Sequence, residues 1–178
     1  MSNANNIVFT ALKIIAWIIF VGLSIEAGGL IVNFIFSVYN PDFVGNLYQK
    51  LDLSDLYERS PSAFYSMYSF ILVIAMLKAS LFYEVIRLVT QFDLLKPFST
   101  FVSKKITQIS YFTFSIGMLS YIARQTAKNL SHRGYEMDTL NQFWADSQAF
   151  ILMAAVIYVI ANIFSKGVEI QNENDLTI

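Results

Sequence analysis

Apolar residues fall into four long blocks separated by short polar stretches. The first runs from Ile7 to Val38, and between Ile14 and Val38 its one charged residue is Glu26. A helix of about 25 residues is about 38 Å long, enough to cross a hydrocarbon core of about 30 Å with some tilt. Gly22, Glu26, Gly29, Asn33 and Ser37 recur at helical spacing and share one face. Such a helix turns its small, polar face inward and gives its Ile, Leu, Phe and Val residues to lipid.

The pattern predicts an all-α integral membrane protein, a four-helix transmembrane bundle in one domain over 1–178. Its spans are expected near 7–38, 63–92, 105–127 and 142–165, with a C-terminal tail over 167–178. Local signals support these limits. Asn40 then Pro41 and Ser60 then Pro61 each read as an N-cap followed by a proline in the first turn. Pro97 interrupts the chain and Ser99 can cap the third span. Thr139 and Gln142 form a capping-box pattern before the fourth, and Gly167 is placed to stop it. In the first loop Phe43, Leu47 and Leu51 recur at every fourth position. This predicts a short amphipathic helix on the membrane surface, with an ordered extramembrane loop as the alternative. The third span is the least apolar. Ser110, Thr113, Gly117, Ser120 and Arg124 lie along one face, which makes it the most enclosed helix.

Composition agrees. Hydrophobic residues make up 56% and charged residues 14%, against about a quarter charged in soluble domains. The net charge of −1 offers no basic surface for direct nucleic-acid binding. The first block is too long for a signal-peptide core and is read as retained. With four spans both termini lie on one side. Lys13, Arg87, Lys96, Lys104, Lys105 and Lys166 flank that side; Lys50, Arg59, Arg124, Lys128 and Arg133 flank the other. The cluster Lys96, Lys104 and Lys105 tips the termini to the cytoplasm.

Candidate chemistry is sparse. Glu26 and Lys78 fall near the middles of neighbouring spans, where each alone would cost about 2.5–3.5 kcal/mol, so they are expected to meet. The pair either docks the first two helices or lines a ligand, ion or proton site; Asn33 and Asn162 are candidates for the same polar cluster. Glu84 and Arg87 stand one turn apart and can pair at headgroup level. The single His132 has no second ligand at metal spacing. No nucleophile elbow, P-loop or dinucleotide-binding glycine pattern occurs, and with no Cys there is no thiolate site. A non-enzymatic protein without cofactor or metal is expected.

Two stretches carry a resemblance. From Phe164 the last span reaches Gly167 and ends in Gln171, Glu173, Asp175, Leu176, Thr177 and Ile178. This resembles the C-terminal signature of the bacterial membrane proteins grouped as domain of unknown function 2975. Pro97-Phe98-Ser99, entering the third span, is similar to that family's Pro-Phe-Ser element. The order of the four spans also agrees, leaving the first loop, Asn40 to Ser60, unmatched. The resemblance implies no activity. Family members are often encoded beside a small helix-turn-helix transcription regulator of the Cro type, which implies a regulatory partner. Leu176 and Ile178 as apolar anchors, with Glu169, Glu173 and Asp175 as acids, could hold such a basic domain away from DNA. Alternatively the tail folds back onto Lys96, Lys104 and Lys105. The leading reading is therefore a membrane sensor that sequesters a cytoplasmic regulator; the alternative is a small-molecule or ion pathway at Glu26 and Lys78. Small-residue faces could also pack copies into a homo-oligomer.

Overall fold

The computed structural model describes residues 3–48, 51–94, 96–144 and 146–175. Four long helices dominate: α1 (Asn3–Tyr39), α3 (Pro61–Gln91), α4 (Thr100–Ser131) and α5 (Ser147–Asp175), with a short α2 (Ser54–Arg59) between the first two. The fold is all-α and the chain is a multi-pass membrane protein. Three stretches are long and apolar enough to cross a bilayer: Ile7–Tyr39, Pro61–Gln91 and Asp138–Asn174. α4 has 32 residues, about 48 Å of helix, but its serines, threonines and charges keep it below the apolarity of a lipid-exposed span.

The long helices do not close into a four-helix bundle. α1 packs on α3, α3 on α4 and α4 on α5, and no extensive interface joins α1 to α4 or α5. The result is an open row with α1 and α5 at its edges. α1 is almost wholly uncovered, with 6% of its most apolar stretch buried, against 33% in α3. That broad apolar surface belongs to lipid. α4, between two neighbours, buries Ile109, Ser110, Thr113, Ile116, Gly117, Ser120 and Ala123.

Interhelical contacts follow the small and hydroxyl residues. The Ser110 hydroxyl donates to the Ala154 carbonyl at 3.1 Å. Beside it, a Cβ on Gly117 would lie 2.9 Å from the Ile151 backbone nitrogen, so α4 and α5 touch backbone to backbone. Between α1 and α3 the buried Tyr68 hydroxyl donates to the Leu30 carbonyl at 3.1 Å. Phe34 stacks on Tyr68 at 5.4 Å.

Away from the termini, the first and third loops form a packed cap. The first loop is not one amphipathic helix on the membrane surface. Asn40 does cap, its side chain accepting from the Asp42 amide at 3.1 Å. The turn that follows is a 3-10 segment, Pro41–Asn46. Gly45 and Asn46 are weak helix formers, and so short a segment cannot sustain a helix alone. The chain instead folds back: Leu47 and Leu51 form an antiparallel bridge, and the Leu53 amide donates to the Val44 carbonyl at 3.1 Å. Val44, Leu47, Leu51, Leu53 and Leu56 thereby enter one core with Phe64 and Tyr68 of α3 and with Met137, Leu140, Phe143 and Trp144 of the third loop. Arg59 ties the loops together, donating to the Gly134 carbonyl at 2.6 Å and lying over the Tyr135 ring.

Two helix limits differ from the local signals. Thr139 and Gln142 do not cap the last helix; they sit inside a second 3-10 segment, Asp138–Phe143, and α5 opens at Ser147 after Asp146, whose φ is 62°. Burial of Leu140, Phe143 and Trp144 takes precedence over the cap. Gly167 does not stop α5 either, since the helix continues to Asp175. The Ser60 and Ser99 caps do form, each accepting from the amide three residues on at 3.3 Å.

Candidate functional site

The polar residues of the apolar blocks are not gathered into one cluster. Phe20 against Tyr83 and Phe34 against Tyr68 bracket both Glu26 and Lys78, so the two stand in the same section of the α1–α3 interface. Both are half-buried, yet the expected ion pair between them is not formed. Asn33 is half-buried on α1. Asn162 lies on α5, exposed, donating to the Tyr158 carbonyl of its own helix at 3.0 Å. Because α5 does not close against α1, Asn162 cannot join Glu26.

The buried ion pair lies nearer the termini. Lys105 of α4 donates to Glu84 of α3 at 2.6 Å and to Gln108 at 2.7 Å. The Lys105 and Glu84 side chains are 8% and 12% exposed. Arg87 approaches the other Glu84 oxygen at 3.6 Å, the one-turn pairing that their spacing allows. Lys105 therefore does not belong to the surface basic cluster with Lys104. The signal was present: Val102, Lys105, Ile109, Thr113, Ile116 and Ser120 share one helical face, and all are buried.

The same end holds the junction between the second loop and the last helix. Ser99 caps α4, Pro97 precedes it half-buried, and Phe98 reaches α5. Its ring sits 5.4 Å from that of Phe164. A Cβ on Gly167 would fall 2.7 Å from Phe98 Cε1 and 2.9 Å from Cγ. Gly167 is thus a contact glycine: it costs roughly 1 kcal/mol of helix propensity relative to Ala and admits the ring. Beside the contact runs an apolar groove of about 510 Å³ lined by Phe98, Val159, Asn162, Ile163, Lys166, Gly167 and Ile170. Beyond it α5 continues with Glu169 exposed and paired with Lys166, Ile170 exposed, Gln171 half-buried and Glu173 exposed. Asp175 ends the helix; Leu176 and Ile178, the expected apolar anchors, lie outside the described residues.

Residues 48–178 match the family described as "Protein of unknown function (DUF2975)". The chain belongs to that family. The matched region takes in α2 to α5 and most of the first loop, from Tyr48 to Ser60, which the sequence reading left unmatched; α1 and the loop up to Leu47 lie outside. Both elements that carry the resemblance in sequence, Pro97-Phe98-Ser99 and the segment from Gly167, meet in the Phe98–Gly167 contact. No curated protein matches the chain, and no solved structure does. Among the described residues no group of three or more His, Cys, Asp or Glu side chains is arranged to hold a metal.

Proposed function

We propose that this DUF2975 protein is a non-enzymatic, four-span sensor of the bacterial cytoplasmic membrane, with both termini in the cytoplasm, that engages a basic cytoplasmic regulator through the end of α5. The observation that supports the reading best is the continuation of α5 past Gly167 as an exposed, acidic helix, anchored at its base by Phe98. Lys105, one of the three lysines onto which the tail could fold back, is occupied by Glu84, and Lys166 pairs within α5. An acidic helix projecting from a membrane complements the DNA-binding face of a small helix-turn-helix protein, and phosphates compete for that same face. α4 is the fourth span in this reading, shielded from lipid on two sides by α3 and α5.

The test is capture from native membranes in detergent, comparing the full chain with one ending at Ile170, which keeps the Phe98–Gly167 contact. A DNA-binding protein retained by the full chain alone supports the reading. Equal capture by both chains, or capture by neither, removes it. A small-molecule or ion pathway at Glu26 and Lys78 is the second reading, supported by an intramembrane carboxylate that has no ion pair among the described residues.

A further inference from the structure

At the end of the molecule away from the termini, a cleft of about 450 Å³ opens between the last turns of α4 and the third loop. One water occupies about 30 Å³ in the liquid, so the cleft has room for a small organic molecule. Its walls differ in sign. Arg124 and Lys128, one turn apart on α4, form one wall; Asp138 and Asp146, from the loop before α5, form the other. No ion pair joins the two sides among the described residues, although all four side chains line the same space. The cleft is also lined by Trp144, 1% exposed; its indole N–H is itself buried and has no hydrogen-bond partner among the described residues. A buried donor of this kind is normally satisfied. Asn141 adds an amide.

We propose that this cleft binds a small zwitterion of the phosphoethanolamine class. Its phosphate would sit against Arg124 and Lys128; its ammonium would sit against Asp138 and Asp146. Opposite charges on one ligand satisfy opposite walls that do not satisfy each other, which a simple anion or a simple cation cannot do. The fit is to the dipole, and the same chemistry has two sources. It can arrive as a soluble molecule or as the headgroup of phosphatidylethanolamine, because the cleft opens where the long helices end. The site is remote from the acidic end of α5 and its occupancy is read without a partner protein, so it and the tail reading can fail separately.

The chain has two tryptophans. A Trp17→Phe variant of the full chain leaves Trp144 as the sole indole reporter. In detergent, O-phosphoethanolamine is expected to change Trp144 fluorescence saturably; in nanodiscs, phosphatidylethanolamine is expected to do so relative to phosphatidylglycerol. Response in one format alone identifies the source. Arg124→Gln and Asp146→Asn should each weaken the response at least tenfold, with helix content and elution volume unchanged. Asn tolerates the left-handed backbone at position 146, so that substitution removes charge and keeps geometry. Absence of a saturable response in both formats overturns the proposal. So does a response to inorganic phosphate equal to that of the zwitterion, or a response that the two variants leave unchanged.

Discussion

Gly117 and Gly28 are both helical glycines, but only one lies in a close interface. At Gly117 a Cβ would meet the Ile151 nitrogen at 2.9 Å and the Ser147 carbonyl at 3.1 Å, backbone atoms that cannot yield unless α4 and α5 separate; at Gly28 nothing lies within 4 Å. Gly117→Ala is therefore expected to destabilise by about 1–3 kcal/mol, outweighing the helix-propensity gain of up to about 1 kcal/mol. Gly28→Ala should be neutral or stabilising. Unfolding in mixed micelles on titration with SDS measures both. Asp52, in the first loop, accepts from the Ser54 hydroxyl at 2.5 Å and the Ser54 amide at 3.0 Å. These bonds, the hydroxyl's first, hold its carboxyl below the ordinary value of 3.8. A lowered folded-state pKa contributes stability above the unfolded value, and that contribution disappears as pH falls through the folded value. Amide exchange in the first loop should accelerate as pH drops below about 4 beyond the intrinsic rate change, and Asp52→Asn should lose that acid-dependent component.

Between elements, the Glu84–Lys105 pair is a buried polar link between α3 and α4. Removing one partner leaves the other charge buried, and such changes cost about 3–5 kcal/mol. Lys105→Met is expected to fall at the low end, because Arg87 remains beside Glu84. Glu84→Leu should fall higher, because Lys105 keeps only neutral neighbours among the described residues, Gln108 and the Phe101 ring. Replacing both residues, as Glu84→Leu with Lys105→Met, should recover most of the loss, since an apolar pair of similar size needs no desolvation. A double-mutant cycle on unfolding free energy reads the coupling; additive losses would mean that the two charges do not depend on each other.

For the whole molecule, the open row places α4 inside and gives α1 and α5 to the edges. In the four-span reading, α3 and α5 cover two sides of a helix too polar to face lipid alone. The chain contains no Cys, so single introduced cysteines report topology without background. With α4 as a span, His132→Cys should react with an impermeant maleimide on intact spheroplasts. Lys96→Cys and Asn172→Cys should react only after permeabilisation. Labelling of positions 96 and 132 from the same side would show that α4 does not cross.

Much of this was legible in the chain alone. The long apolar blocks, the Ser60 and Ser99 caps and the small-residue face of α4 are properties of adjacent residues, and helix formation and membrane insertion depend on such local features. Phe98 and Gly167 were visible as positions in the two motifs that carry the family resemblance, but not that they touch. What needed tertiary structure was every feature set by which helices are neighbours. Glu26 and Lys78 share a section of an interface without pairing, and Asn162 is kept from them because α5 does not close the row. Gly167 lies within a helix because a ring from another loop needs the space of its missing Cβ. The capping pattern at Thr139 and Gln142 yielded to burial of Leu140, Phe143 and Trp144. There a local capping preference of about a kilocalorie competed with burial of large apolar side chains, each contributing about 1.5–3 kcal/mol, and packing decided the outcome.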